Sequence, residues 1–357
     1  MDKILLIYAS FGEGHKRCAY ALRDYLNAPC VDLLDFSYPF IKKFYIFLYL
    51  TGTERLPYLW SFLYSSTTKN AHLRFLVNKI QEFLFFHFFE YLRRTHPKVI
   101  ITTHFFPISF IAKLKKELNI KVITIATDIR AHPLWADACV DRYFVAHEET
   151  KKDLIKLNIE PSKITSGYVS LRQGFLNIPS QISIKEKFSL DEKPAILFMS
   201  SLRGNFPYVD EVISEIKDKF NIFFIYGKNL ALKAHLENLK LPNLKFFPSY
   251  EEIWELFSVS SIIVTKPGGL TIFEGIYTKK LFIFMRYIPG QEKENMDFLE
   301  KYGIGKFVEN KSEFLEALDY FNTRKKELDS NYPVKFSDIR LVINETINSL
   351  TSPDMKQ

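Results

Sequence analysis

Residues 264–295 read VTKPGGLTIFEGIYTKKLFIFMRYIPGQEKEN, and the order of elements in them decides the fold. The apolar, β-branched run SSIIVTK at 260–266 has the composition of a buried strand. Pro267-Gly268-Gly269 breaks it, and apolar residues resume at helical spacing over 271–279. A strand, a glycine turn and a helix start thus follow in order. Glycines let a ligand come close to backbone, and the unpaired N–H groups and dipole of a helix N-terminus favour an anion. The stretch reads as a phosphate seat, although a glycine pair by itself is also an ordinary tight turn. Glu274, one turn into the helix, is placed to accept hydrogen bonds from a ribose diol. A second apolar strand at 281–284 leads to Pro289-Gly290-Gln291-Glu292, at the carboxyl end where open parallel sheets bind ligands.

The rest of the second half has the same rhythm. Strands are expected at 195–199 (AILFM), 221–226, 244–247, 262–265 and 281–284, with helices at 208–219, 230–239, 250–258 and 271–278. Two closing helices are expected at 313–328 and 334–350. The first half alternates as well: strands at 3–9, 30–34, 98–102, 121–126 and 142–146, helices at 15–26, 109–118 and 148–157, and a helical aromatic region after 34. Both halves are βαβ patterns. The expected fold is α/β, two Rossmann-like doubly wound domains facing a cleft. Its boundaries are an amino-terminal domain at 1–176, a polar linker at 177–193, a carboxyl-terminal domain at 194–332, and a closing helix at 333–357 that packs back on the first domain.

A chain of 357 residues suits two domains of ordinary size. Cys18, Cys30 and Cys139 follow no metal-ligand spacing and are too few for a disulfide framework, which points to a reducing compartment. The apolar run at 4–9 is too short for a signal peptide, and the uncharged stretches at 56–68 and 99–112 fall short of the roughly 18 apolar residues a spanning helix needs. The net charge of +7 is unevenly placed: residues 36–98 hold nine Lys and Arg, three acidic residues and eighteen aromatics. Basic residues interleaved with rings suit an anionic membrane interface. A nucleic-acid surface uses the same residue types, but FYIFLYL at 44–50 and FLFFHFF at 83–89 carry more apolar bulk than stacking requires. Many of these rings are also plain core.

Three loops carry candidate chemistry. After the first strand, Ser10-Phe11-Gly12-Glu13-Gly14-His15 opens a helix; Arg17 stands where a dinucleotide fingerprint needs its third glycine, which sets dehydrogenase chemistry aside. His15 is a candidate general base and Gly14 a point of close approach. After the strand at 121–126 comes TDIRAHPLW (127–135), where Asp128 and His132, four apart, are candidates to act together, Asp128 alternatively being a helix cap. His104 is a further candidate. No Asp-x-Asp pair or other metal set stands at a strand end, so leaving-group charge falls to the Gly268-Gly269 helix start with Lys266 or Arg203.

These motifs resemble the processive diacylglycerol glucosyltransferases and monogalactosyldiacylglycerol synthases, within the two-domain nucleotide-sugar glycosyltransferases of family 28. The likeness rests on residues 10–15, on 31–34 with 58–60, on Thr127-Asp128 with His132 and Trp135, on 140–146, and on 265–271 with Glu274, 289–292 and Asn295. It implies a GT-B architecture and a metal-independent, inverting hexosyltransferase working without a cofactor. The donor would be UDP-glucose or UDP-galactose. Gly268, Gly269 and Thr271 would meet the diphosphate, Glu274 the ribose, and Gln291 and Glu292 the sugar hydroxyls, with Leu270 and Asn295 also in the donor site. The uracil would lie against backbone near Phe247 and Tyr250. The acceptor would be diacylglycerol or a glycosyl-diacylglycerol, with His15 or the Asp128–His132 pair assisting deprotonation. The protein would be cytoplasmic and peripherally bound to the inner face of the cell membrane. A polyprenyl-linked acceptor and a non-catalytic nucleotide-sugar sensor are the alternative readings. Two positions depart from the family pattern: Ser200-Ser201-Leu202-Arg203-Gly204 replaces a glycine run, leaving Ser200 and Arg203 to meet phosphate, and Gly167-Tyr168-Val169-Ser170 replaces a proline-containing turn.

Overall fold

The computed structural model describes residues 4–54, 83–199, 208–288 and 291–352. The chain divides into two α/β units, one taking in Met1–Arg172, Ile288–Gln291 and Phe336–Gln357, the other Gln173–Tyr287 and Glu292–Lys335.

The first unit is built on a parallel sheet of β1 (Ile4–Tyr8), β2 (Cys30–Asp32), β3 (Val99–Thr102), β4 (Lys121–Ile125), β5 (Arg142–Val145) and β6 (Ile164–Ser166), in the order β2-β1-β3-β4-β5-β6. All its ladders are parallel, so every strand's carboxyl end lies at one edge. The strands are near-continuous apolar runs because both faces are covered. On one face Leu5, Ile7, Ile100 and Val122 join Phe85, Phe88, Phe110 and Trp135. On the other Leu6, Ile101 and Ile123 meet Cys18 and Leu22 of the helix Glu13–Leu26, and Ile343 and Ile347 of the helix Ile343–Thr351. The carboxyl-terminal segment thus belongs to the first unit's core, and it enters by a two-residue parallel ladder of Ser337–Asp338 with Tyr168–Val169.

The second unit has β7 (Ala195–Met199), β8 (Asn221–Ile225), β9 (Leu244–Phe247), β10 (Ser260–Thr265), β11 (Leu281–Phe284) and β12 (Gly305–Phe307), in the order β9-β8-β7-β10-β11-β12. This too is wholly parallel. The order reverses direction at β7 and β10, the switch point where doubly wound sheets place ligands.

Several local expectations need correction. Leu33 and Leu34 leave the strand at 30–34 for a 3-10 turn, because the Asp32 carboxylate accepts the Leu34 N–H at 3.1 Å. Residues 177–193, expected as a linker, carry the helix Gln181–Lys187; Ile184 is buried, and Lys187 bonds Glu255. The strands β6 and β12, each three residues long, and the helix Gln291–Lys301 were not anticipated from periodicity. The closing helix is shorter than 334–350: Pro333 and the ladder at Ser337–Asp338 hold the chain extended until Ile343. Among the described residues, no helix is long and apolar enough to cross a membrane.

Candidate active site

In the first unit, the carboxyl edge of the sheet brings together four histidines, in the segments after β1, β3, β4 and β5. Gly12 caps the helix Glu13–Leu26 with no side-chain hydrogen bond, so Glu13, Gly14 and His15 sit on its first turn. His15 Nδ1 lies 2.9 Å from the Thr103 carbonyl and 3.0 Å from Thr127 Oγ1. A carbonyl can only accept, so Nδ1 carries the proton and Nε2 the lone pair. Thr103 in turn donates its hydroxyl to the His15 carbonyl at 2.9 Å, tying the helix start to the end of β3. Burial pushes the His15 imidazole down to about 4, the Thr103 carbonyl working in the opposite direction. The ring is neutral at physiological pH, with its basic nitrogen at Nε2.

The other three histidines have the opposite arrangement. His104 Nδ1 accepts from Phe106 N at 3.0 Å, His132 Nδ1 from Leu134 N at 3.2 Å and His147 Nδ1 from Glu149 N at 3.2 Å. Each carries its proton on Nε2 when neutral. Burial lowers His132 to about 4, and burial with the neighbouring His15 holds His104 well below the ordinary imidazole value. His104 and His15 meet edge to face with ring centroids 4.3 Å apart. Of these four imidazoles, His15 alone has its proton-accepting nitrogen turned away from the backbone amides.

Asp128 and His132 both stand in the loop after β4. Asp128 is buried and accepts the Trp135 indole N–H at 3.2 Å, while His132, and not Asp128, caps the 3-10 turn Pro133–Trp135. His132 Nδ1 thus faces the Leu134 N–H, and Asp128 holds the loop through Trp135.

In the second unit, β10 runs into Lys266-Pro267-Gly268, and the helix Gly269–Tyr277 starts two residues before the sequence suggested. Gly268 is its N-cap, with no side-chain cap, which leaves the N–H groups of Gly269, Leu270 and Thr271 at the helix start for an anion. Gly268 has φ −75°, open to any residue, and among the described residues a Cβ there would meet nothing within 4 Å. Neither the backbone nor packing among the described residues requires this glycine. Gly275 differs: a Cβ would sit 2.2 Å from the Phe282 ring, so that glycine lets the helix close on β11.

Glu274 is fully buried on the same helix. Lys266 forms an ion pair with Glu292, and Asn295 Nδ2 donates to the Pro267 carbonyl at 3.0 Å. The helix Gln291–Lys301 is thereby fixed to the glycine turn, by bonds that span 26 and 28 residues of chain. Phe247, at the end of β9, packs its ring 5.1 Å from Tyr250, whose hydroxyl donates to Glu255 at 2.6 Å. Ser200, Arg203, Pro289 and Gly290 lie outside the described residues, as does the Gln291 side chain.

Residues 15–167 match the family model for monogalactosyldiacylglycerol (MGDG) synthase. A processive diacylglycerol beta-glucosyltransferase of Bacillus cereus (strain B4264) is 30% identical over 326 residues, 87% of this chain and 83% of the relative. The chain belongs to the processive diacylglycerol glucosyltransferase and MGDG synthase family. Its namesake in Bacillus pumilus (strain SAFR-032) is 27% identical over 349 residues, 92% of this chain and 88% of that one. Among solved structures, UDP-GlcNAc 2-epimerase from Neisseria meningitidis superposes with a TM-score of 0.58 at 14% identity, covering 97% of this chain and 99% of that one. MurG from Acinetobacter baumannii gives 0.55 at 12% identity, covering 98% and 100%. The architecture is GT-B, two Rossmann-like units.

For a member of this glycosyltransferase family, the motif residues fall into two local groups: His15 with Thr103 and Thr127 in one unit, and Lys266, Gly268–Thr271, Glu274, Glu292 and Asn295 in the other. Sequence reasoning missed Thr103, whose contact to the His15 ring is made by its main-chain carbonyl and leaves no side-chain signature. Thr127 was visible in the motif without a role.

Proposed function

We propose that this chain transfers a hexose from UDP-glucose or UDP-galactose to diacylglycerol or a glycosyl-diacylglycerol, inverting the anomeric centre in a single displacement and working without a metal or cofactor. The substrate class is supported by likeness to relatives named processive diacylglycerol beta-glucosyltransferase. The observation that carries the chemistry is Gly268: a glycine with no described neighbour within 4 Å of a Cβ and an ordinary negative φ, at the start of a helix with no side-chain cap among the described residues. Close approach of a diphosphate accounts for it.

The acceptor hydroxyl attacks the anomeric carbon, and its proton passes to His15 Nε2. The bond to the UDP oxygen breaks, and the charge left on the diphosphate is met by the Gly269, Leu270 and Thr271 N–H groups and by Lys266. Glu274 holds the ribose, and Gln291, Glu292 and Asn295 the sugar. Ser200 and Arg203 add phosphate contacts.

The membrane partner is an anionic surface on the cytoplasmic side. Phe40, Phe44 and Phe47 lie on one face of the helix Pro39–Glu54 and are 67%, 57% and 63% exposed. Rings so placed enter a bilayer interface while Lys43 meets headgroups.

The test is a grid of UDP-glucose and UDP-galactose against vesicles carrying diacylglycerol or a polyprenyl-linked acceptor, read by the mass of the product lipid, with no added metal. Glycolipid from one donor is expected, and Glu274→Ala should weaken donor binding while leaving vesicle binding intact. No product lipid with either donor would overturn the proposal.

A further inference from the structure

We propose that Thr127 is a positioning residue for His15: its hydroxyl oxygen and the Thr103 carbonyl together hold the ring with its proton on Nδ1 and its lone pair on Nε2. The inference rests on the reading of His15 as the group that receives the acceptor proton.

Two oxygens from the ends of two adjacent strands, β3 and β4, converge on one nitrogen, at 2.9 and 3.0 Å. The Thr103 oxygen is an obligate acceptor. The Thr127 oxygen therefore shares the same N–H as a second acceptor, in a three-centre bond. Both oxygens are uncharged, so the ring is oriented by dipoles and not by a carboxylate. When Nε2 takes a proton, the positive charge spreads over the ring and both acceptors strengthen. Among the described residues Nε2 has no hydrogen-bond partner, which leaves it for substrate.

Thr127 is itself held from below. Its neighbour Asp128 is buried and accepts the indole N–H of Trp135, which is fully buried. Tyr143 donates its hydroxyl to the Trp135 carbonyl at 3.0 Å, and Thr150 donates to the Ile129 carbonyl at 2.5 Å. The loop after β4 is thus pinned at Asp128, Ile129 and Trp135. Among the described residues, Thr127 Oγ1 is the side-chain contact to His15 Nδ1 that substitution can remove, since the Thr103 contact is main chain.

The experiment compares wild type, Thr127→Val and Thr127→Ser by nitrogen-15 NMR of labelled histidine at neutral pH, with His15 assigned by His15→Gln. Wild type should show His15 as the Nδ1–H tautomer, opposite to His104, His132 and His147. In Thr127→Val the His15 nitrogens should move toward exchange-averaged values while the other three histidines stay fixed; Thr127→Ser should restore the wild-type shifts. On vesicles, kcat of Thr127→Val should fall about tenfold, the size of one hydrogen bond to a charged group, with the UDP-sugar KM unchanged and Thr127→Ser recovering. His15 shifts in Thr127→Val equal to wild type would overturn the inference. If the valine variant does not fold, Thr127→Ala decides on the same readout. A wild type that forms no glycolipid would count against the proposed activity, and the ring shifts would then decide the Thr127 contact alone.

Discussion

Asn295 donates its side-chain amide to the carbonyl of Pro267 at 3.0 Å, and it is 1% exposed. The bond crosses 28 residues of chain and fixes the start of one helix against the turn that opens another. Replacing Asn295 with leucine leaves the Pro267 carbonyl buried without that donor, a loss of about 1–3 kcal/mol. The urea midpoint should fall accordingly, and the KM for the UDP-sugar should rise severalfold because the Gly268 turn is no longer held. An unchanged midpoint would show that water or a neighbour replaces the amide.

Gly268→Ala separates fold from ligand. The backbone at Gly268 suits alanine, and among the described residues nothing lies within 4 Å of the added carbon. Stability should stay level or rise slightly, by up to about 1 kcal/mol, through the unfolded chain. Donor affinity, read by calorimetry with UDP, should fall at least tenfold. Tight UDP binding by a stable Gly268→Ala would remove the diphosphate from this turn.

How far such relationships were legible beforehand follows from their range. The strand, glycine turn and helix at 260–277 are local: β-branched runs, two glycines and helical periodicity suffice to order them, and the helix start was misplaced only because Gly269 looks like a breaker and is in fact the first helical residue. The ion pair of Lys266 with Glu292 joins two residues that were each singled out, yet their pairing depends on β10 and β11 lying side by side. The three-residue strands β6 and β12 carry too few residues for a period to show. At the His15 site the histidine was legible from its glycine loop. The oxygens that decide which of its nitrogens is basic were not, because one is a main-chain atom 88 residues away.

Stability should depend on three histidines at the carboxyl edge of the first sheet. Burial lowers His15 and His132 to about 4 and His104 well below its ordinary value, whereas an unfolded histidine titrates near about 6.5. Below that pH the unfolded chain binds protons that the folded chain does not take up until near pH 4. The stabilisation is therefore complete above the unfolded value and is lost as pH falls from there toward 4. The denaturation midpoint should be lower at pH 5 than at pH 7.5. His132→Asn keeps an acceptor for the Leu134 N–H and removes one titrating ring, so it should narrow that gap. An equal gap in the variant would mean that His132 protonates freely in the folded protein.

The exposed rings of the helix Pro39–Glu54 give a prediction in which folding and binding part company. Phe40, Phe44 and Phe47 are spaced four and three residues apart, one face of a helix, and all three are more than half exposed. Their removal costs little internal packing, so Phe40→Ser with Phe44→Ser and Phe47→Ser should leave the urea midpoint nearly where it was. At a vesicle surface each ring stands to gain about 1 kcal/mol for partial burial, and three together correspond to a change in partitioning of roughly a hundredfold. Sedimentation with vesicles containing anionic lipid measures it directly. The triple variant should stay in the supernatant at lipid concentrations that carry wild type down, and its turnover on short-chain, dispersed diacylglycerol should remain near wild type because the His15 site is untouched. Co-sedimentation of the variant equal to wild type would show that the membrane is met by another surface.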